Sequence, residues 1–191
     1  MTDIHNHLLF GVDDGAKSLE ESIRVLEEME LAGYENVILT PHYIKDSSYH
    51  NSRVDNLHRL DILKSGLRAN NININLYLGN EIYIDDDIYE LLNKGLISSL
   101  NNSNYLLIEL PMSGIYDNYM GIFKDLINRG YNVILAHPER YISFQNDFNK
   151  IYELEKIGVY FQSNIASLVG KYGDGAKETI IRMTLKIVQK N

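Results

Sequence analysis

Two histidines one residue apart, His5 and His7 in Asp3-Ile4-His5-Asn6-His7, stand six residues ahead of a carboxylate pair on a glycine turn, Asp13-Asp14-Gly15. On an extended strand, residues i and i+2 project to the same side, so the two imidazoles would aim at one place. Imidazoles and carboxylates together form a ligand set for a divalent cation. Further candidates recur along the chain. His42 stands in Pro41-His42, Glu81 in Gly79-Asn80-Glu81, and Glu109 in Glu109-Leu110-Pro111. His137 and Arg140 share Ala136-His137-Pro138-Glu139-Arg140.

Each of these residues follows a short β-rich run. The runs are 2–5, 36–40, 72–78, 105–110, 132–136 and 158–162, and amphipathic segments lie between them. The clearest helix covers 18–32. There Ser18 and Glu21 have capping-box spacing, Leu19, Ile23 and Leu26 follow a helical period, and Gly33 ends the pattern. Gly95, Gly130 and Gly158 punctuate later segments in the same way, and a last helix is expected near 174–189. The alternation predicts an α/β fold of about six strand–helix units with parallel strands. All the candidate residues then sit at C-terminal strand ends, which is the face of a (β/α) barrel where active sites are built. One histidine after a strand is ordinarily a local hydrogen-bonding residue; five consecutive strands each ending in His or Glu point to a shared centre.

Plainer readings accompany several positions. Asp13 and Asp14 have the residue type and spacing for an Asx turn before Gly15. Arg140 could pair with Glu139 or a neighbouring acid. His50 and His58 read as surface residues of a polar helical region. Asp85-Asp86-Asp87 suits a helix N-terminus. The acidic residues between Glu20 and Glu30 read as a solvated face plus a cap.

A length of 191 residues suggests one domain, 1–191, with a substantial core. The net charge of −8 argues against a nucleic-acid backbone as main partner. The absence of cysteine excludes disulfides, thiolate ligands and any cysteine nucleophile. The polar start and the lack of a long apolar run predict neither a signal peptide nor membrane insertion, and so a cytoplasmic location.

The stretches DIHNHLLFGVDDGAKSLEES, TPHY, GNEIY, IELP and LAHPERY, spread over most of the chain, resemble the polymerase-and-histidinol-phosphatase (PHP) metallophosphoesterase superfamily. More narrowly they resemble the bacterial manganese-dependent tyrosine-protein phosphatases of capsule and exopolysaccharide gene clusters, the CpsB/YwqE type. The resemblance implies a distorted (β/α)7 TIM-like PHP barrel binding up to three metal ions. It implies that His5, His7 and Glu81 hold one metal. Glu81, Glu109 and His137 would hold a second, with Glu81 bridging, and Asp13 and His42 would contribute to a third. Arg140 would contact the substrate phosphate, and Asp14 would act as general acid or orienting carboxylate. Manganese comes from the resemblance; the ligand types alone also suit zinc or iron. In the family a seventh strand carries an Asp-x-His motif, and this sequence stops before it, so a C-terminally incomplete barrel with fewer bound ions is expected.

The chemistry fits these residue types. Metal ions roughly 3.5–4 Å apart neutralise a phosphate monoester and lower the pKa of a bound water toward 7, and a guanidinium binds two phosphoryl oxygens at once. The function that the resemblance implies is dephosphorylation of the tyrosine-rich tail of the partner kinase that regulates polysaccharide export, and the resemblance favours a homo-oligomer. Two alternatives are a PHP phosphoesterase acting on a small ester such as histidinol phosphate, and a catalytically impaired remnant that binds metal or phosphotyrosine.

Overall fold

The computed structural model describes the backbone of residues 1–190 and the side chains of residues 1–185. It divides into two compact units, Met1–Leu107 and the remainder from Ile108.

The first unit carries β1 (Thr2–Asp3), α1 (Leu19–Leu31), β2 (Asn36–Leu39), β3 (His42–Tyr43), α2 (Arg53–Ala69), β4 (Asn75–Leu78), β5 (Glu81–Tyr83) and α3 (Ile88–Asn93). All its strand pairs among the described residues are parallel. β2 lies between β1 and β4, with Leu39 opposite Leu78, and β3 pairs β5 with His42 opposite Glu81. Leu26 of α1, Leu63 and Leu67 of α2, and Val37, Leu39 and Leu76 of the strands form one buried apolar cluster with Leu9 and Val12. That cluster is the main stabilising element of this unit, since each fully buried aliphatic side chain contributes about 1.5–3 kcal/mol.

Helix α1 begins where the sequence predicts. Ser18 Oγ accepts from Glu21 N at 3.2 Å. The reciprocal half of the capping box is displaced by one residue, because Glu21 Oε2 accepts from Lys17 N at 2.8 Å. Gly33, with φ +88°, closes the helix, and Tyr34 N reaches back to Met29 O.

Two short strands are additions to the sequence reading. β3 and β5 follow β2 and β4 after breaks at Thr40-Pro41 and Gly79-Asn80. Proline has no N–H for a ladder, and Asn80 spans the gap, donating through Nδ2 to Pro41 O (3.0 Å) and accepting from Ser98 N (2.8 Å). Past these breaks the same two stretches pair again in the same register, which brings His42 and Glu81 side by side.

The second unit begins at the end of β6 (Tyr105–Glu109). It continues with α4 (Tyr119–Asn128), β7 (Asn132–Ala136), α5 (Ile142–Asn146), α6 (Asn149–Lys156), β8 (Tyr160–Gln162), α7 (Ile165–Leu168) and α8 (Asp174–Lys190). β7 and β8 are parallel, with Ala136 opposite Gln162. Phe123, Leu126, Leu135, Tyr141, Phe144 and Leu154 are buried in its core. Both units are therefore α/β with parallel strands, as the alternation predicts. Among the described residues no helix is long and apolar enough to cross a membrane.

Candidate metal and phosphate site

The first strand ends earlier than the sequence suggests. β1 stops at Asp3, so His5 and His7 do not share a strand face. A pair of interlocked side chains replaces the ladder. Asn6 N donates to Thr40 Oγ1, Thr40 N and Thr40 Oγ1 both donate to Asn6 O, and Asn6 Nδ2 donates to Asp3 Oδ2 and Ile38 O. Asn6 is thus pinned alongside β2, and the histidines on either side of it turn toward the same carboxylate.

That carboxylate is Glu81, which is 1% exposed. Its Oε2 lies 3.1 Å from His5 Nε2, 3.2 Å from His7 Nε2 and 3.2 Å from His42 Nδ1. The His5 and His7 rings meet edge to face with centroids 5.4 Å apart, and the Tyr49 ring stacks on His42 at 6.0 Å. Asp14 Oδ1 is 3.6 Å from His42 Nε2 and is the solvent-facing member of the group.

Asp13 works differently from its neighbour. Its Oδ2 takes His7 Nδ1 at 2.8 Å and His42 N at 3.0 Å, and its Oδ1 takes Gly15 N at 2.9 Å. The last of these is the Asx turn of the plain reading, and the same turn brings the buried carboxylate to the back of His7 rather than leaving it open as a ligand. A carboxylate behind a ligating imidazole fixes its tautomer and orientation. Gly15 is required by space. A Cβ there would lie 2.0 Å from His7 O and 2.3 Å from His7 Cβ. The loop between His7 and Ala16 is closed by Ala16 N to His7 O (2.9 Å) and Gly11 N to Ala16 O (2.8 Å). It is anchored below by the buried side chains of Leu9 and Val12.

The electrostatics follow from this crowding. Burial disfavours the charged form of His7, but the hydrogen bonds and charges of Asp13 and Glu81 outweigh it and push the imidazole up to about 10. Burial raises the Asp13 carboxyl, yet the His7 contact more than offsets that and leaves it below the ordinary carboxylate range. His42 is lowered by burial, against the opposing pull of Glu81. Three imidazoles facing one carboxylate oxygen is a donor set suited to a cation. Two groups of ligand atoms lie within 4.8 Å of one another inside this unit: His5, His7 and Glu81; and His7, Asp14 and His42. The residues present therefore fit a divalent metal.

In the second unit, Glu109 ends β6, and its Oε1 lies 3.7 Å from His137 Nε2. His137 follows β7 with φ +33°, a left-handed conformation rare for a non-glycine residue, and is 2% exposed. The backbone turn Pro138–Arg140 follows it. Tyr141, fully buried, braces this turn: its hydroxyl donates to Ala136 O (2.8 Å) and accepts from Leu110 N (2.9 Å). It so joins the chain after Glu109 to the chain before His137. Glu139 does not pair with Arg140. It is fully buried, and its Oε1 accepts from Asn164 N (2.9 Å) and Ser167 Oγ (2.8 Å). The guanidinium carbon of Arg140 lies 4.4 Å above the Tyr172 ring.

The remaining polar candidates take the plain reading. His50 is exposed and bonds Ser47 O, and His58 is exposed on α2. Asp87 precedes α3 but pairs with Lys45 rather than capping the helix. The contacts of Asn6, Thr40, Tyr141 and Tyr172, and the close approach of Gly15 to His7, are features that the sequence reading does not give. For Gly15 and Thr40 their place beside candidate ligands was the available signal; for Tyr172, 32 residues after Arg140, there was none.

A family model of capsular polysaccharide synthesis proteins, CpsB/CapC, matches residues 1–189. The CapC protein of Staphylococcus aureus is 34% identical over all 191 residues, which cover 73% of its length. The tyrosine-protein phosphatase YwqE of Bacillus subtilis is 31% identical over 183 residues, or 96% of this chain and 72% of that protein. A solved structure from work on YwqE of Bacillus subtilis and CpsB of Streptococcus pneumoniae, described as unique metal-dependent tyrosine phosphatases, superposes with a TM-score of 0.91. It is 31% identical, with 96% of this chain and 74% of that chain covered.

Proposed function

This chain belongs to the CpsB/CapC family of capsular polysaccharide synthesis proteins, and from that premise we propose that it is a metal-dependent protein-tyrosine phosphatase. The observation that carries the reading is the convergence of three imidazoles on Glu81 Oε2 at 3.1–3.2 Å, in a chain without cysteine. A thiolate mechanism is closed to it, so the metal ligands must supply the chemistry. The fold reading that goes with it is the distorted PHP barrel, supported by the parallel pairing and by ligands that follow the strands.

His5, His7 and Glu81 hold one metal ion, with His42 and Asp14 offering ligands beside them. Glu109 and His137 are ligands of the same kind in the second unit. Manganese is the ion we assign. When bound, a metal neutralises phosphoryl charge and makes a water-derived nucleophile accessible near neutral pH. The chain's own residues do the rest. Asp13 holds His7 from behind and fixes which ring nitrogen faces Glu81. Arg140 presents planar N–H donors to the phosphoryl oxygens. Asp14, exposed beside His42, is placed to hand a proton to, or orient, the leaving phenol. The substrate is a phosphotyrosine protein, for which we propose the tyrosine-rich tail of the kinase that regulates capsular polysaccharide synthesis.

The test is hydrolysis of a phosphotyrosine peptide by this chain after chelation, with and without returned Mn²⁺, beside His7→Ala. Turnover that needs the metal and vanishes in the variant is the expected result. Metal-independent turnover, or full activity in His7→Ala, would overturn the reading. Faster hydrolysis of small alkyl phosphates than of the peptide would redirect it to a small-molecule phosphoesterase.

A further inference from the structure

We propose that Tyr172 is a positioning residue for Arg140, and that the segment 164–172 grips the Pro138–Arg140 turn at two points so that the guanidinium is held flat with its donors free for a phosphoryl dianion. The proposal rests on the reading of Arg140 as the phosphate contact and adds the part that orients it.

The first observation is what Arg140 does not do. Among the described residues its guanidinium makes no hydrogen bond and no ion pair; its one contact of note is the Tyr172 ring, 4.4 Å from the guanidinium carbon to the centroid. The chain has 26 acidic residues against 18 lysines and arginines, so carboxylate partners are abundant. A carboxylate would neutralise the arginine and occupy its fork. The face of a phenol ring attracts the cation and fixes its plane while leaving every N–H unused. Stacking of this kind holds the donors in place without competing with the ligand.

The second observation is how Tyr172 is itself held. Glu139, next to Arg140, points inward; its Oε1 takes Asn164 N and Ser167 Oγ at the start of α7. From there the chain is pinned step by step: Gly170 N to Ser167 O, Lys171 N to Ala166 O and Gly173 N to Gly170 O. Gly173 has φ +91°, and α8 begins at Asp174. A Cβ on Gly175 would lie 2.4 Å from Gln145 Oε1, whose amide nitrogen donates to Glu139 O. Consecutive residues of the turn thus meet one segment at two points, Glu139 by buried hydrogen bonds and Arg140 over the Tyr172 ring. Lys171 Nζ lies 5.8 Å from the same ring, which adds a second cation to the locus.

The experiment uses the full chain loaded with Mn²⁺. Hydrolysis of a phosphotyrosine peptide gives KM and kcat, and inorganic phosphate is the probe of the anion site, as competitive inhibitor and by calorimetry. Tyr172→Ala should weaken phosphate and raise KM by about fivefold, the size expected of a cation–π contact at a partly exposed site, with kcat moving less. Tyr172→Phe, which keeps the ring face, should recover most of that loss. In an Arg140→Ala background, Tyr172→Ala should add nothing. Unchanged KM and phosphate affinity in Tyr172→Ala would overturn the proposal, as would a Phe variant as damaged as Ala or additive effects of the two substitutions. A wild-type chain that binds phosphate but hydrolyses nothing removes the phosphatase reading alone, and the same variants still decide the clamp by phosphate affinity. A wild-type chain that does neither removes both.

Discussion

In Met1–Leu107 the candidate ligands hold one another; in the chain from Ile108 onward, Arg140 is held by side chains that are not assigned to bind anything. His5, His7 and His42 face Glu81 directly, and Asp13 closes on His7 from behind. Around Arg140 the supports are a tyrosine ring, a buried glutamate bound to Asn164 and Ser167, and the Tyr141 hydroxyl. The difference is one of charge. A cluster of imidazoles and carboxylates suits a cation because its donor atoms and negative charge converge, and because those groups touch, removing one alters the protonation of the others. A phosphate-binding arginine needs the reverse, supports that fix geometry and leave its charge alone. Damage to the first region should therefore appear as lost metal and lost turnover. Damage to the second should appear first as lost affinity or stability.

The largest test of that contrast is Glu81→Gln. The amide keeps the volume but removes the charge that three imidazoles share. Metal content after dialysis and kcat/KM should both fall by more than about 100-fold, beyond what loss of an outer-shell partner causes, while far-UV circular dichroism is unchanged. Retained metal would show that the cluster does not depend on its central carboxylate.

Gly15→Ala comes next. The added methyl would collide with backbone, His7 O at 2.0 Å, and backbone cannot rotate away as a flexible side-chain end can. The loop must shift, which strains the closure of Ala16 N on His7 O. A stability loss of about 3 kcal/mol together with reduced metal affinity is expected, read by thermal unfolding with and without Mn²⁺. An unchanged melting temperature would mean the loop is looser than its hydrogen bonds indicate.

Tyr141→Phe probes the second region. It removes only the hydroxyl and leaves two buried backbone groups, Ala136 O and Leu110 N, without that partner. The cost should be about 2 kcal/mol, seen as a lower denaturation midpoint with the metal at His5, His7 and Glu81 preserved. Loss of metal in step with stability would blur the distinction between the regions.

How much of this was legible in the sequence depends on the length of the signal. Runs with several residues of periodicity came through: 132–136 is β7 to the residue, 36–40 is β2 with one residue extra, and the helix at 18–32 is α1. β3 and β5 have two and three residues, too few for any periodicity, and their punctuation by Pro41 and Gly79 reads as an ordinary turn. The histidine pair was visible by residue type, but its mechanism was not. A strand predicts two imidazoles on one face, whereas the structure ends the strand at Asp3 and lets the Asn6–Thr40 interlock take over. Side chain to backbone bonds between residues 34 apart leave no local pattern. The same holds for Arg140 and Tyr172, where one aromatic in a glycine-flanked turn looks like any surface tyrosine.

The smallest expected effect makes the sharpest control. Ser18 caps α1 immediately after the loop between His7 and Ala16, and its Oγ accepts from Glu21 N at 3.2 Å. Ser18→Ala should cost about 1 kcal/mol of stability. Whether activity follows depends on whether the loop is held by the helix or by itself. Its own bonds favour the second: Asp13 takes His7, His42 N and Gly15 N, and Lys17 Nζ donates to Asp13 O at 2.9 Å. None of these passes through the cap. Lys17 N is held by Glu21 rather than Ser18, so the junction survives the substitution. Lower thermal stability with unchanged kcat/KM and metal content is expected, measured on one preparation. Falling activity in step with stability would mean that the cluster borrows its rigidity from α1, and that its members do not suffice to hold one another.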